Sequence, residues 1–159
     1  MKNNIEYIST RGSSPKLGFK DVIFEGLASD GGLYIPSKWP TIDKKLLSSF
    51  KSLSYQEIAF HIIKPYLDDS LSDKDLKKII QRSYSCFDDD QITPISKVDN
   101  NTYLLELYHG PTYAFKDVAM QFISQLMDFY LSQNGNSINI LGATSGDTGA
   151  AAIEGFKNV

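Results

Sequence analysis

The chain reads as an α/β protein: a small, mostly helical N-terminal domain (residues 1–97), then the first βαβα unit of a parallel sheet (residues 98–159). Three observations predict this. Apolar residues recur at helical spacing through most of the stretch 18–87. From Thr102 onward the period changes, and strand-like runs alternate with helix-length amphipathic runs. Both predicted strand ends in that second part open into short phrases of glycine, hydroxyl and charged residues, His109-Gly-Pro-Thr-Tyr-Ala-Phe-Lys-Asp117 and Ala143-Thr-Ser-Gly-Asp-Thr-Gly149. In open α/β sheets such strand-to-helix junctions are where ligands bind.

Taken in order, Ile5–Thr10 is a strand-like run that ends in the loop residues Arg11-Gly12-Ser13-Ser14-Pro15. Phe19, Val22, Ile23 and Leu27 predict a helix from about Gly18 to Ala28, stopped by Asp30-Gly31-Gly32. Leu33–Pro36 is then extended, and Trp39-Pro40 lies in a loop. Ser54 with Glu57 fits a capping box, in which hydroxyl and carboxylate satisfy each other's backbone N–H groups. Behind it Tyr55, Ile58, Ala59, Ile62, Ile63 and Tyr66 form one apolar stripe, with His61 off the stripe on a solvated face. Ser72 opens the next helix, whose apolar positions are Leu76, Ile79, Ile80 and Tyr84. Acidic residues in its first turn and Lys77, Lys78 and Arg82 further on complement the helix dipole. Asp88-Asp89-Asp90 lacks the spaced ligands of a calcium loop and reads as a solvated helix exit. Residues 91–101 read as an extended linker ending in a turn, which sets the domain boundary near 97/98. Thr102–Leu107 is then a strand, Phe115–Tyr130 a long amphipathic helix stopped by Asn134-Gly135-Asn136, Ser137–Leu141 a second strand, and Thr148 onward a further helix.

The bulk numbers narrow the function classes. With 42% hydrophobic and 22% charged residues, the 159-residue chain is ordinary globular material, so a packed core is expected. A net charge of −3 offers no basic footprint for nucleic acid or an anionic membrane. One cysteine, Cys86, leaves no internal disulfide or Cys/His zinc cluster, and reads as a buried small apolar residue. The N-terminus lacks the apolar core of a signal peptide and no run reaches membrane-spanning length, so the expected location is cytoplasmic.

The chemistry lies in the two phrases. If Thr112 caps the long helix, Lys116 falls in its opening turn, where exposed N–H groups disfavour a cation and so favour a nucleophilic amine. Such a lysine can bond covalently to a carbonyl cofactor, typically pyridoxal 5′-phosphate (PLP). The plainer alternative is a surface lysine paired with Asp117 or Asp128. In the second phrase Gly146 and Gly149 permit tight turns, the following helix offers N–H donors to a carboxylate or phosphate, and Thr144, Ser145 and Thr148 add hydroxyls. No Gly-Lys-Ser/Thr follows, which disfavours a nucleoside triphosphate. An ordinary turn with Asp147 or Thr148 as N-cap fits the same residues. His109 reads either as a base or as a histidine bonded locally to the backbone.

Together the phrases are identifiable. Tyr7-Ile-Ser-Thr-Arg-Gly12, Gly26-Leu-Ala-Ser-Asp-Gly-Gly-Leu-Tyr-Ile-Pro36, Leu105-Glu-Leu-Tyr-His-Gly-Pro-Thr-Tyr-Ala-Phe-Lys-Asp117 and Ala143-Thr-Ser-Gly-Asp-Thr-Gly-Ala-Ala-Ala152 resemble the threonine synthase family, PLP enzymes of the tryptophan-synthase-β-like fold (fold type II). The resemblance implies that Lys116 is the lysine that carries the cofactor and moves protons between the α and β carbons of the substrate. It implies that Asp147 lies near the cofactor's ring oxygen, and that Thr144, Ser145, Gly146, Asp147 and Thr148 cradle the substrate carboxylate. The implied reaction converts O-phospho-L-homoserine and water to L-threonine and phosphate. Arg11, with Ser9 and Thr10, is a candidate for the phosphate end of the substrate, with a buried ion pair as its alternative role. Two other readings are carried beside this one: a related PLP phospholyase that eliminates phosphate without making threonine, and a non-catalytic truncated module. Family members are longer, so the resemblance puts the loop that grips the PLP phosphate and the group facing the pyridine nitrogen beyond Val159. The expectation is that residues 1–159 alone hold half an active site and turn nothing over.

Overall fold

The computed structural model describes residues 5–157 and 159. Contacts divide the chain into two compact units, Met1–Lys77 and Lys78–Val159.

The first unit is built around a short antiparallel pair, β1 (Tyr7–Ser9) with β2 (Tyr34–Pro36), in the register Tyr7↔Pro36, Ile8↔Ile35 and Ser9↔Tyr34. Tyr7 is its anchor. The ring is buried beside Phe19, centroids 6.1 Å apart, and the hydroxyl donates to the Tyr66 carbonyl at 2.7 Å. Burial, with smaller contributions from Tyr66 and Asp68, pushes the phenol up to about 12. Asp30 ties the two family-like phrases of this unit together. Its carboxylate accepts from the Ser9 hydroxyl (2.7 Å) and from the N–H groups of Gly32 (2.9 Å) and Ser13 (2.9 Å). The Ser9 bond first, then those backbone donors, hold this carboxyl far below the usual carboxylate range. Gly32 permits the approach, because a Cβ there would stand 2.2 Å from the Ser9 hydroxyl oxygen.

Helix α1 (Phe19–Glu25) ends at Gly26, whose φ of 67° suits the residue that stops it. Helix α2 (Lys44–Ser49) is short and unforeseen in the sequence, and is capped by Asp43, which accepts from the Leu46 N–H at 2.7 Å. Helix α3 (Tyr55–Ile63) begins with the predicted capping box, both halves of which are formed. His61 is half-buried against Phe50, centroids 6.0 Å apart, and does not stand on a solvated face. Helix α4 (Asp73–Tyr84) is started by Ser72, whose Oγ accepts from the Asp75 N–H at 3.1 Å. It buries Leu76, Ile79, Ile80, Ser83 and Tyr84, one i, i+3, i+4, i+7, i+8 stripe. The division between the units falls inside this helix.

In the second unit, β3 (Ile95–Lys97) pairs antiparallel with β4 (Tyr103–Leu105), Ile95 opposite Leu105. Residues 95–105 are thus a hairpin where a linker was expected. Its turn is closed by Asp99, whose carboxylate accepts from the N–H groups of Asn101 and Thr102, both at 2.9 Å. Helix α5 (Asp117–Asn134) runs to Gly135 in the left-handed conformation, φ 63° and ψ 24°. Helix α6 (Asp147–Phe156) packs on it where Gly155 meets the Met120 carbonyl and the Ser124 hydroxyl. Leu126, Met127, Tyr130 and Ala151 are buried in this unit. Both sheets found among the described residues are antiparallel. The predicted strand Ser137–Leu141 carries no ladder, and Ile138, Ile140 and Leu141 are exposed. A parallel strand takes its N–H and C=O partners from a neighbouring strand, and no described segment supplies one. Cys86, expected to be buried, is an exposed free thiol at the end of α4.

Candidate active site

Both phrases lie at the N-terminal ends of helices in the second unit, and each is organised by a side chain other than its expected reactive group. Helix α5 does not begin at Thr112. Lys116 is its N-cap residue, with φ −63° and ψ −24°, and its carbonyl accepts from the N–H groups of Ala119 (3.1 Å) and Met120 (2.9 Å). The chain reaches it through two turns, one closed by Tyr113 N–H to the Gly110 carbonyl (3.0 Å) and the other by Asp117 N–H to the Ala114 carbonyl (3.0 Å). Between them Tyr113 takes φ 60°, a left-handed conformation that costs a non-glycine residue about 1–2 kcal/mol. Lys116 forms no ion pair with Asp117 or Asp128 among the described residues. Its Nζ stands over the Phe115 ring, 4.5 Å from the centroid.

Asp117 has a different task. It is fully buried, accepts from the Thr112 N–H at 2.8 Å, and takes the Thr112 hydroxyl at 2.8 and 2.9 Å from its two oxygens. Gly110 lies so close that an added Cβ would be 2.5 Å from the Asp117 Cβ and 2.6 Å from its Oδ2. The sequence reading missed this role, although the Thr112–Asp117 spacing and the glycine before the proline carried its signal.

His109 is bonded by its ring, not merely its backbone. Nδ1 lies 3.0 Å from Asp88 Oδ1 and Nε2 lies 2.7 Å from Glu106 Oε2, while the His109 carbonyl accepts from the Asp88 N–H at 3.0 Å. Glu106 is itself held by the Ser96 hydroxyl. The bond to Glu106, then Asp88, raises the histidine above its ordinary value. Ser96 and His109 in turn hold the Glu106 carboxyl below its own. With both nitrogens committed to carboxylates, His109 fastens the start of the lysine loop and has no ring nitrogen left to act as a base. Asp88, read as part of a solvated helix exit, is one jaw of this clamp.

In the second phrase Thr144 is the organiser. Its Oγ1 accepts from the N–H groups of Gly146 (3.3 Å) and Gly149 (3.1 Å), and a Cβ on Gly149 would come within 2.6 Å of it. Gly146, the N-cap of α6, has φ 147°. The Asp147 carboxylate accepts from the Thr148 N–H at 2.9 Å. The helix N–H groups of Thr148 and Gly149 are thus spoken for within the loop. Among the described residues the hydroxyls of Ser145 and Thr148 donate to no protein group, which leaves them as the open donors of the phrase. Thr144, Thr148 and Gly149 line an open groove of about 730 Å³ with Met120, Leu141 and Ile153. Met120 is one helical turn beyond Lys116, so the groove runs from the hydroxyl loop to the turn that follows the lysine. In the first unit Arg11 is exposed, donating from Nη1 to the Asp30 carbonyl at 3.0 Å, and forms no ion pair among the described residues. A primary amine on a tight turn and free hydroxyls at a helix start suit a carbonyl cofactor and an anionic substrate, so these residues fit PLP chemistry.

Residues 6–84 match the family model described as threonine synthase N terminus. Threonine synthase of Pseudomonas aeruginosa is 47% identical over 153 residues, an alignment covering 96% of this chain and 33% of that protein. The Schizosaccharomyces pombe enzyme is 43% identical over 166 residues, covering 99% of this chain and 32% of its own length. Among solved structures, PLP-bound threonine synthase from Brucella melitensis superposes with a TM-score of 0.92 at 43% identity, over 96% of this chain and 33% of that one. The chain therefore spans about a third of the length of the relatives it matches.

Proposed function

Because the chain belongs to the threonine synthase family, we propose that the protein acts as a threonine synthase, a PLP-dependent lyase converting O-phospho-L-homoserine and water to L-threonine and phosphate. The observation that carries this reading is the likeness, across 96% of the chain, to a threonine synthase solved with PLP bound. When bound, the cofactor supplies an electron sink for carbanions next to the amino group. In this reading Lys116 holds it and shuttles protons, on a turn whose geometry is independent of any ion pair. The Ser145 and Thr148 hydroxyls bind the substrate carboxylate. Thr144, Gly146 and Asp147 shape that loop, with Asp147 beside the cofactor ring. The same reading assigns residues 1–97 to the family's N-terminal domain and 98–159 to the start of the cofactor domain, supported by the family-model match over 6–84. A small-molecule partner and a cytoplasmic setting complete this reading; no described helix is long and apolar enough to cross a membrane.

Borohydride trapping of the full-length protein with PLP, followed by peptide mapping, tests the assignment. The label is expected on Lys116, with loss of labelling and of threonine formation in Lys116→Ala. A label on another lysine ends it. Elimination of phosphate from O-phosphohomoserine without threonine would instead favour a phospholyase.

A further inference from the structure

We propose that Asp117 is a positioning residue for Lys116: its buried carboxylate, bridged to Thr112, sets the two turns that present the lysine. The inference rests on the reading of Lys116 as the cofactor lysine. The turns 110–113 and 114–117 are each closed by one backbone hydrogen bond, and a left-handed Tyr113 joins them. A joint of two short turns at an unfavourable φ is not held by its own backbone. What spans it is the Asp117 carboxylate, which takes both the N–H and the hydroxyl of Thr112. The carboxylate belongs to the first residue of α5, so the joint is referenced to a helix of 18 residues. Gly110 seals the arrangement by packing against the same side chain without a Cβ. Lys116 lies within the second turn and is the N-cap of the helix, so its Cα direction follows from this bridge. Small errors in such placement are expensive: a displacement of about 1 Å can cost on the order of a hundredfold in rate.

The test uses the full-length protein with Asp117→Ala, which removes both oxygens that accept from the Thr112 N–H and hydroxyl. Thr112→Val is the milder partner, a nearly isosteric change at a half-exposed position that removes the hydroxyl alone. Two readouts are taken. In the cofactor-free protein, hydrogen exchange at the Thr112 and Tyr113 amides is expected to speed up by about tenfold or more relative to amides of α3. The rate at which PLP labels Lys116, measured by borohydride quench per folded molecule across a pH series, is expected to fall by a similar factor. A carboxylate that merely stabilises the fold would lower the urea midpoint while leaving the labelling rate and its pH profile unchanged. Exchange and labelling within about twofold of wild type in both variants overturn the proposal. Should the wild-type label fall elsewhere than Lys116, the functional reading fails and takes the proposal with it. Should it fall on Lys116 at a rate insensitive to both variants, the positioning role alone fails.

Discussion

At the scale of single residues, the candidate site is held by side chains that do no chemistry themselves. His109 is the clearest case. Its pKa is raised in the folded chain, so its contribution to stability is fully present below the unfolded value, about 6.5, and is lost as pH rises through the folded one. Glu106 has the opposite sign: its folded value is lowered, so its contribution is present above the ordinary carboxylate range and is lost on acidification. The clamp is therefore strongest at mildly acidic pH. The protection factor of the Asp88 amide, which donates to the His109 carbonyl, should therefore be larger at pH 6 than at pH 8 once the intrinsic rate at each pH is divided out. His109→Gln should flatten that difference. Gly149→Ala tests the other loop. Its Cβ would meet the Thr144 Oγ1 at 2.6 Å, displacing the hydroxyl that caps α6, and overpacking of this kind costs about 1–3 kcal/mol. A loss of that size in chemical denaturation is expected, and Gly149→Ala at wild-type stability would show that the hydroxyl can give way. Asp117, Asp88 and Thr144 were visible as residue types in the sequence. Their partners were not, because burial and contact across a turn do not follow from composition.

At the scale of elements, local signals worked where the element is closed by its own residues. The capping box at Ser54 and Glu57, the cap at Ser72, and the stripe of α4 are local or periodic, and each appears where the sequence put it. Ser54→Ala should cost about 1 kcal/mol by losing the hydroxyl that accepts from the Glu57 N–H, read as a lower urea midpoint. Elements that depend on a distant partner went differently. Residues 95–97 look like a linker until paired with 103–105, and 137–141 look like a strand but find no partner among the described residues. The start of α5 shifted from Thr112 to Lys116 because Tyr113 between them takes φ 60°, which no right-handed helix can contain.

At the scale of the whole molecule, each compact unit has its own apolar core. Leu76 in the first and Leu126 in the second are each about 99% buried, at 1% exposure. Truncation of either to alanine should cost about 2–5 kcal/mol in urea unfolding, a large share of the roughly 5–15 kcal/mol typical of a domain. A cost under about 1 kcal/mol at either site would mean that its surroundings collapse to fill the gap. Neither core contains the proposed chemistry. Lys116, Ser145 and Thr148 sit outside them, on turns fixed by Asp117, Thr144 and the His109 clamp.

The sequence by itself determined the class of the chain, most helices, and the two phrases that identify its family. These depend on residue order, spacing and caps, all of which act over a few positions. Tertiary structure alone decided which side chains hold those phrases in place: the buried bridge from Asp117 to Thr112, the carboxylates on both nitrogens of His109, and the Thr144 hydroxyl over the start of α6. Such bonds are set by where the folded backbone brings donors and acceptors together, which residue order a few positions either way only hints at.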